Sequence, residues 1–406
     1  MRCVIVSDFG SVNGGAAKVA IESARGLAEV GVDVLFVCAI GPVSERLSHP
    51  RISVELLGGQ DIWAVGGRWS AAKQGVWNAA AGQFLTAILA RQPPGTIVHL
   101  HQWTKAFSPA AIAAAGESGL PVALTLHDYF AFCPTGGYFD FQRGDVCTRK
   151  PMSLACIGAH CDRASYLHKL VRVARQWRSD EALRRLKDPL FVHVSALAQE
   201  VAEPFLPKSA RHAVIENMME VRQAPPADIA GNRPAVFIGR LTEEKGVLPL
   251  AQAARIAGMT LRFVGDGDAR IRGAIARLNP DAVVTGWVDH NAVLSELRGA
   301  RCLVAPSLWY ETGPLTVIEA MAQGVPPILP RTIGAAGRVS DGVNGLVLPE
   351  VTVEALTRAL RCLADNRLAA TIGQGAYEAY WTDPTTLQRH VGELLQAYQG
   401  SLAAAA

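Results

Sequence analysis

The chain has no run approaching the roughly 18 uninterrupted apolar residues that a membrane-spanning helix needs. Its N-terminal apolar run lasts only from Cys3 to Val6 before Ser7 and Asp8 interrupt it. That pattern reads as a first strand, not as a signal peptide. Charge of one sign is also scarce, since 39 Lys and Arg stand against 36 Asp and Glu, a net +3. A global basic field for nucleic acid is therefore excluded, and no nucleic-acid partner is expected. The fingerprint Gly-x-Gly-x-x-Gly and its acidic partner are missing after the first strand, which argues against a dinucleotide oxidoreductase. These absences point to a soluble cytoplasmic chain. The inner face of the cytoplasmic membrane is a candidate peripheral location.

What is present is a globular composition. Half of the 406 residues are hydrophobic and 18% are charged. Such a length suggests about two domains. Short runs rich in Val, Ile and Leu alternate with Ala-rich helical stretches. The first half offers Cys3–Ser7, Val32–Cys38, Ile52–Leu57, Ile97–His101, Val122–His127 and Phe191–Ser195. The second offers Ala235–Gly239, Leu261–Gly265, Ala282–Gly286, Cys302–Ser307, Pro326–Pro330 and Gly345–Leu348. Continuous apolar strands separated by helices predict parallel sheets covered on both faces. The polar, proline-bearing stretch Gln223–Asp228 is the best linker. The predicted division is residues 1–224, 225–375 and a C-terminal helical segment, 376–406, returning to the first domain. A Cys-rich insertion falls at about 130–190 of the first domain.

Ligands of open α/β sheets lie beyond the carboxyl ends of the strands. Four motifs fall there. Gly10-Ser11-Val12-Asn13-Gly14-Gly15 precedes a helix, and reads either as a tight turn or as a close approach to an anion. Gly239-Arg240-Leu241-Thr242-Glu243-Glu244-Lys245-Gly246 supplies two cations, and a pyrophosphate needs such charge-assisted donors. In Glu311-Thr312-Gly313-Pro314-Leu315, a turn opens a helix that also carries Glu319. Two carboxylates there can accept hydrogen bonds from two sets of hydroxyls, while the helix N-terminus favours an anion. Finally, Leu126-His127-Asp128 ends one strand, and His99 and His101 end the one before it.

Arg-x4-Lys-Gly after a strand, then Gly265-Asp266-Gly267, then Glu-x7-Glu, together resemble the donor domain of the large retaining GT-B glycosyltransferase family. The resemblance runs through nearly all of residues 233–350, and is looser in the first half. It implies a GT-B fold: two Rossmann-like, doubly wound parallel-sheet domains facing across a cleft. It implies transfer of a hexose-type sugar from a nucleotide-diphosphate sugar, with retention, to a glycan or lipid-linked acceptor. By the resemblance, Arg240 and Lys245 bind the diphosphate and stabilise its departing charge. Glu319 binds the ribose. Glu311, with the backbone of Thr312, Gly313, Pro314 and Leu315, binds the transferred sugar. Gly14 and Gly15 give the diphosphate room, and Gly265, Trp287 and Val288 lie by the nucleotide. His127 approaches the reacting sugar, with His101 and Asp128 as acceptor-side candidates. Arg240 and Lys245 can hold the leaving charge without a metal, so metal-independent catalysis is expected. The alternative is a nucleotide-sugar-binding protein of the same fold that is non-catalytic, a hydrolase or an epimerase.

Cys133, Cys147, Cys156 and Cys161 cluster within the insertion. They are candidates for a tetrahedral structural zinc site. Disulfides or free thiols are the other readings. Beyond them Arg163, Lys169, Arg172, Arg175, Arg178, Arg184, Arg185 and Lys187 interleave with Tyr166, Leu167, Leu170, Val171 and Val173. On a helix this makes a cationic amphipathic face, suited to an anionic membrane or simply to solvent.

Overall fold

The structure is a computed structural model and describes residues 1–405. It divides into two compact units. The first comprises residues 1–142, 147–218 and the segment from Thr385 onward; the second comprises 143–146 and 219–384.

The first unit carries β1 (Arg2–Phe9), β2 (Asp33–Ile40), β3 (Ile52–Leu56), β4 (Thr96–Gln102) and β5 (Val122–Leu126). Along the chain there follow a short ribbon, β6 (Phe139–Asp140) and β7 (Asp145–Val146), the latter within residues 143–146 of the second unit, and then β8 (Leu190–His193) and β9 (Arg211–Val214) of the first. The main sheet has the order β3-β2-β1-β4-β5-β8-β9, and its ladders are parallel. Seven of the eight residues of β1 are buried, as a strand covered on both faces requires. The order reverses between β1 and β4.

Helix Leu387–Ala405 packs on helix Gly15–Glu29 within this unit. Gly26 lets them meet, since a Cβ there would come within 2.6 Å of Val391. The Ser23 hydroxyl donates to His390 Nε2 at 3.0 Å, because His390 Nδ1 gives its proton to the Glu216 carbonyl at 2.8 Å.

The second unit has β10 (Ala235–Ile238), β11 (Leu261–Val264), β12 (Val283–Val284), β13 (Cys302–Val304), β14 (Pro327–Pro330) and β15 (Leu346–Leu348). Their order is β12-β11-β10-β13-β14-β15, again parallel, with the reversal between β10 and β13. Val236, Phe263, Val304, Ile328 and Leu329 form the centre of its core. Both sheets are thus doubly wound and parallel, as the alternation of strands and helices predicts. Strand β9 and the β6–β7 ribbon were not legible in the sequence. Among the described residues no helix is long and apolar enough to cross a membrane.

Candidate functional site

In the second unit the motif loops emerge side by side from β10, β11, β12 and β13. Backbone contacts lock them together. Gly239 donates to Val264 O and Leu241 to Asp266 O, at 2.9 and 2.8 Å. Gly265 has φ +140°, and a Cβ there would stand 2.0 Å from Gly239 O. Its lack of a side chain is thus explained by the neighbouring loop. Gly265 also bridges to Gly286, which brings the exposed Trp287 and the half-buried Val288 to the same rim.

The β10 and β13 loops join through an ion pair. Lys245 Nζ donates to Glu311 Oε1 at 2.7 Å, and lies 5.6 Å over the Trp309 ring. Ser307 Oγ also donates to Glu311. Burial alone would raise the Glu311 pKa, but Lys245, then Ser307 and Trp309, outweigh it and hold the carboxyl below its usual range. The backbone of Glu311 is fixed by its N–H to Thr332 O at 3.1 Å and by Gly334 N–H to its own carbonyl at 2.7 Å.

Pro314 is the N-cap of helix Leu315–Ala322, so the helix begins one residue after the proline. Thr312 and Gly313 lead into it. Its first N–H groups are oriented for an anion. Glu319 is buried in this helix, with His290 Nδ1 3.8 Å from its carboxylate. Arg240 stands exposed on its loop, with no bonded partner among the described residues. Two cations, two carboxylates and a helix N-terminus therefore ring one end of this sheet. Sequence reasoning assigned no role to His290, which reaches Glu319 from another element, or to Ser307, which bonds Glu311 from four residues earlier in the same loop.

The triplet Asp266-Gly267-Asp268 has the form of an Asp-x-Asp metal motif, yet both carboxylates are engaged. Asp268 caps helix Ala269–Leu278 through Ile271 N–H at 2.8 Å, and Asp266 pairs with Arg272 at 2.9 Å.

In the first unit, Gly14 has φ +90° and is the N-cap of helix Gly15–Glu29. A Cβ on Gly15 would meet nothing within 4 Å. Its own chain therefore does not demand a glycine, which leaves the helix N-terminus open to close approach. After β4 and β5, His101, His127 and Asp128 line one small pocket. His101 Nδ1 meets His127 Nε2 at 3.2 Å. Desolvation, reinforced by His390, pulls His127 down to about 3, so it is neutral at physiological pH. Asp128 is pushed up to about 6 by desolvation, while it accepts Phe130 N–H at 3.0 Å. Asp8, unassigned from the sequence, ends β1 and accepts three N–H groups from Lys105, Ala106 and Phe107. It thereby fixes the loop after β4.

None of the four cysteines of the insertion is in a disulfide. Among the described residues, no three His, Cys, Asp or Glu side chains are arranged to hold a metal. Instead the buried Lys169 ammonium lies 3.0 Å from Cys161 Sγ and 3.7 Å from Cys156 Sγ. The Cys133 thiol shares a hydrogen bond with the Thr135 hydroxyl, and Cys147 lies beside Arg149. The basic helix, Tyr166–Arg184, is likewise less uniform than its sequence. Lys169 and Arg175 are buried, and Arg172 pairs with Asp162 at 3.1 Å. Leu167, Leu170, Trp177, Arg178 and Arg184 remain exposed.

Residues 232–366 match the family described as glycosyl transferases group 1, and residues 13–146 match glycosyltransferase family 4. A GDP-mannose-dependent alpha-mannosyltransferase of Corynebacterium glutamicum is 32% identical over 41% of the chain and 40% of its own length. Glycogen synthase of Mycobacterium tuberculosis is 27% identical over 68% of the chain and 61% of its own length. The chain thus spans less than two thirds of either relative. Among solved structures, sucrose-phosphate synthase from Thermosynechococcus elongatus superposes with a TM-score of 0.72 at 19% identity, covering 99% of both chains. Anabaena HepE in complex with UDP-glucose gives 0.67 at 17% identity, over 98% of this chain and 100% of that one. The fold is GT-B, and each unit carries a match to a glycosyltransferase family model, family 4 in the first and group 1 in the second.

Proposed function

We propose that the protein transfers a hexose-type sugar, with retention, from a nucleotide-diphosphate sugar to a glycan or lipid-linked acceptor in polysaccharide or glycoconjugate synthesis. The observation that carries this is the ring of Arg240, Lys245, Glu311 and Glu319 around the helix that starts at Leu315. The diphosphate would take Arg240 and Lys245, the ribose Glu319, and the sugar Glu311 with the amides near Gly313. Gly15 would leave room for the phosphates. His127, neutral and aimed from β5, would hydrogen-bond a sugar hydroxyl.

No residue of the ring serves as a covalent nucleophile in this reading. Glu311 is bound to Lys245 and Ser307, an arrangement for recognition. Catalysis would come from placing the reactants and from stabilising the leaving diphosphate. The positive charge of Arg240 and Lys245 makes a metal unnecessary for that step. The engagement of Asp266 and Asp268 in local bonds supports the same view.

A panel of UDP-, GDP- and ADP-sugars, assayed for diphosphate release with and without candidate glycans and in EDTA, tests this. Acceptor-dependent release with an α-configured product from an α-configured donor is expected. Release that ignores the acceptor would turn the reading toward a hydrolase.

We further infer a peripheral contact with anionic membrane. The exposed Leu167, Leu170 and Trp177 of helix Tyr166–Arg184, and Trp69 on the neighbouring helix Arg68–Val76, support it, with Arg163, Arg178 and Arg184 as the cations.

A further inference from the structure

The loops after β10 and β13 are braced by their backbones. Leu308 N–H donates to Glu244 O at 2.8 Å. Pro306 O lies so close to Gly246 that a Cβ there would stand 1.9 Å from it. The Thr332 hydroxyl donates to the Ser307 carbonyl at 3.3 Å, and Thr332 O accepts the Glu311 N–H. The ion pair of Lys245 with Glu311 is therefore not what holds the two loops together. Lys245 can change partner without the loops parting.

Two donors meet on one oxygen of Glu311. Lys245 Nζ and Ser307 Oγ both reach Oε1. They differ in freedom. Lys245 carries its charge on a long flexible stem, and its side chain is 24% exposed. Ser307 has one short rotor and is 2% exposed. The first donor is exchangeable and the second is fixed. A diphosphate carries more negative charge than a carboxylate and competes for the same ammonium. When Lys245 turns to it, Oε1 loses one donor and keeps the other. A carboxylate oxygen accepts about two hydrogen bonds, so one place opens on an oxygen that Ser307 still holds. A sugar hydroxyl is the donor that the transfer reading brings there.

We propose that Ser307 is a positioning residue that holds Glu311 for the transferred sugar once the diphosphate has drawn Lys245 away. This rests on the sugar-transfer reading above and deepens it. Recognition of the sugar then follows recognition of the diphosphate, which favours a nucleotide sugar over a free sugar. Trp309 also supports the Glu311 carboxylate, so loss of Ser307 loosens it without releasing it.

Isothermal titration on the full chain tests this with UDP, GDP and ADP, and with UDP-glucose, GDP-mannose and ADP-glucose. The quantity read is the affinity for a sugar nucleotide relative to its own diphosphate. Ser307→Ala should lower that ratio about fivefold or more, while diphosphate affinity stays within about twofold of native. Ser307→Cys keeps the volume with a weaker donor and should lower the ratio in the same direction, which guards against an alanine variant that fails to fold. Acid supplies a readout that a packing role would not move. Ser307 is one of the donors that hold the Glu311 carboxyl below its usual range. Without it the carboxyl protonates more readily, so the ratio should collapse at a higher pH in Ser307→Ala than in native protein. An unchanged ratio in both variants, or an equal loss of diphosphate and sugar-nucleotide binding, overturns the positioning role and leaves the transfer reading standing. So does an acid limb that does not move. Diphosphate binding with no sugar-nucleotide binding in native protein overturns the role as well. Absence of all nucleotide binding removes the transfer reading, and the positioning role with it.

Discussion

Lys245 already has a counter-ion before any diphosphate arrives. Its pair with Glu311 is partly buried and reinforced by Ser307. A diphosphate that takes Lys245 must compete with that carboxylate. Glu311→Gln keeps the shape and removes the competitor. It should therefore bind UDP or GDP about two- to fivefold more tightly, while losing the preference for the sugar-nucleotide over the bare diphosphate. Weaker diphosphate binding in calorimetry would contradict the competition. His127 gives a second test at this scale. Because desolvation holds it near 3, the pH profile of transfer should show no step from it around pH 6.5. A step at that pH which disappears in His127→Asn would show the imidazole to titrate after all. The sequence made Lys245, Glu311 and Glu319 legible because their spacing follows a loop and one helix. It hid His290 and Asp8, because each meets its partner across a fold contact, and Ser307, because a serine four residues from a loop glutamate carries no motif. Lys169 was misjudged for the same reason: its helical position looked solvated, yet its ammonium is buried among thiols.

The strands and motif loops were legible because parallel strands buried on both faces leave continuous apolar runs. Strand β9 was not, because Arg211-His212-Ala213-Val214 lies at a sheet edge and is only partly buried. The helix opened by Pro314 was visible from the Gly-Pro turn. The loops are held by glycines of two kinds. Gly246 has φ +69°, and a Cβ there would stand 1.9 Å from Pro306 O. Gly246→Ala combines backbone strain with a backbone clash, and should cost the second unit on the order of 3 kcal/mol. Gly14 also has positive φ, but its Cβ would meet nothing within 4 Å. Gly14→Ala should cost only about 1 kcal/mol. Denaturant melts of the two variants check the contrast. Equal losses would mean that the Gly246 loop can shift without cost to its neighbours.

Across the whole molecule, buried titratable groups set the response to acid. His99 and His127 are held near 3, His193 near 4, and His101 well below its usual value, in each case chiefly by desolvation. Below pH 6.5 the unfolded chain protonates these histidines and the folded chain does not, so acid removes stability. Asp8 and Asp128, raised to about 6, act in the opposite sense, since below that pH the folded state takes up their protons first. With His390, also lowered by desolvation, five histidines outweigh three raised carboxyls, Asp180 being the third, so stability should fall from about pH 6.5 downward, and most of that loss should come from the first unit. Thermal melts between pH 4 and 7 follow it; a melting temperature that rises on acidification would reverse the sign.

Membrane contact belongs to the same scale. Flotation with phosphatidylglycerol-containing vesicles should be lost in high salt and in Trp69→Ala with Trp177→Ala. Equal flotation with neutral vesicles would exclude the cationic face as its cause.

The proposed sugar transfer finally depends on a nucleoside diphosphate being held by the second unit through Lys245 and Glu319. Isothermal titration of UDP, GDP and ADP into the full chain, with EDTA present, measures this directly. Saturable binding of at least one of them is expected, weakened about tenfold or more in Lys245→Met and in Glu319→Ala. No binding of any diphosphate, or undiminished binding by both variants, would contradict it.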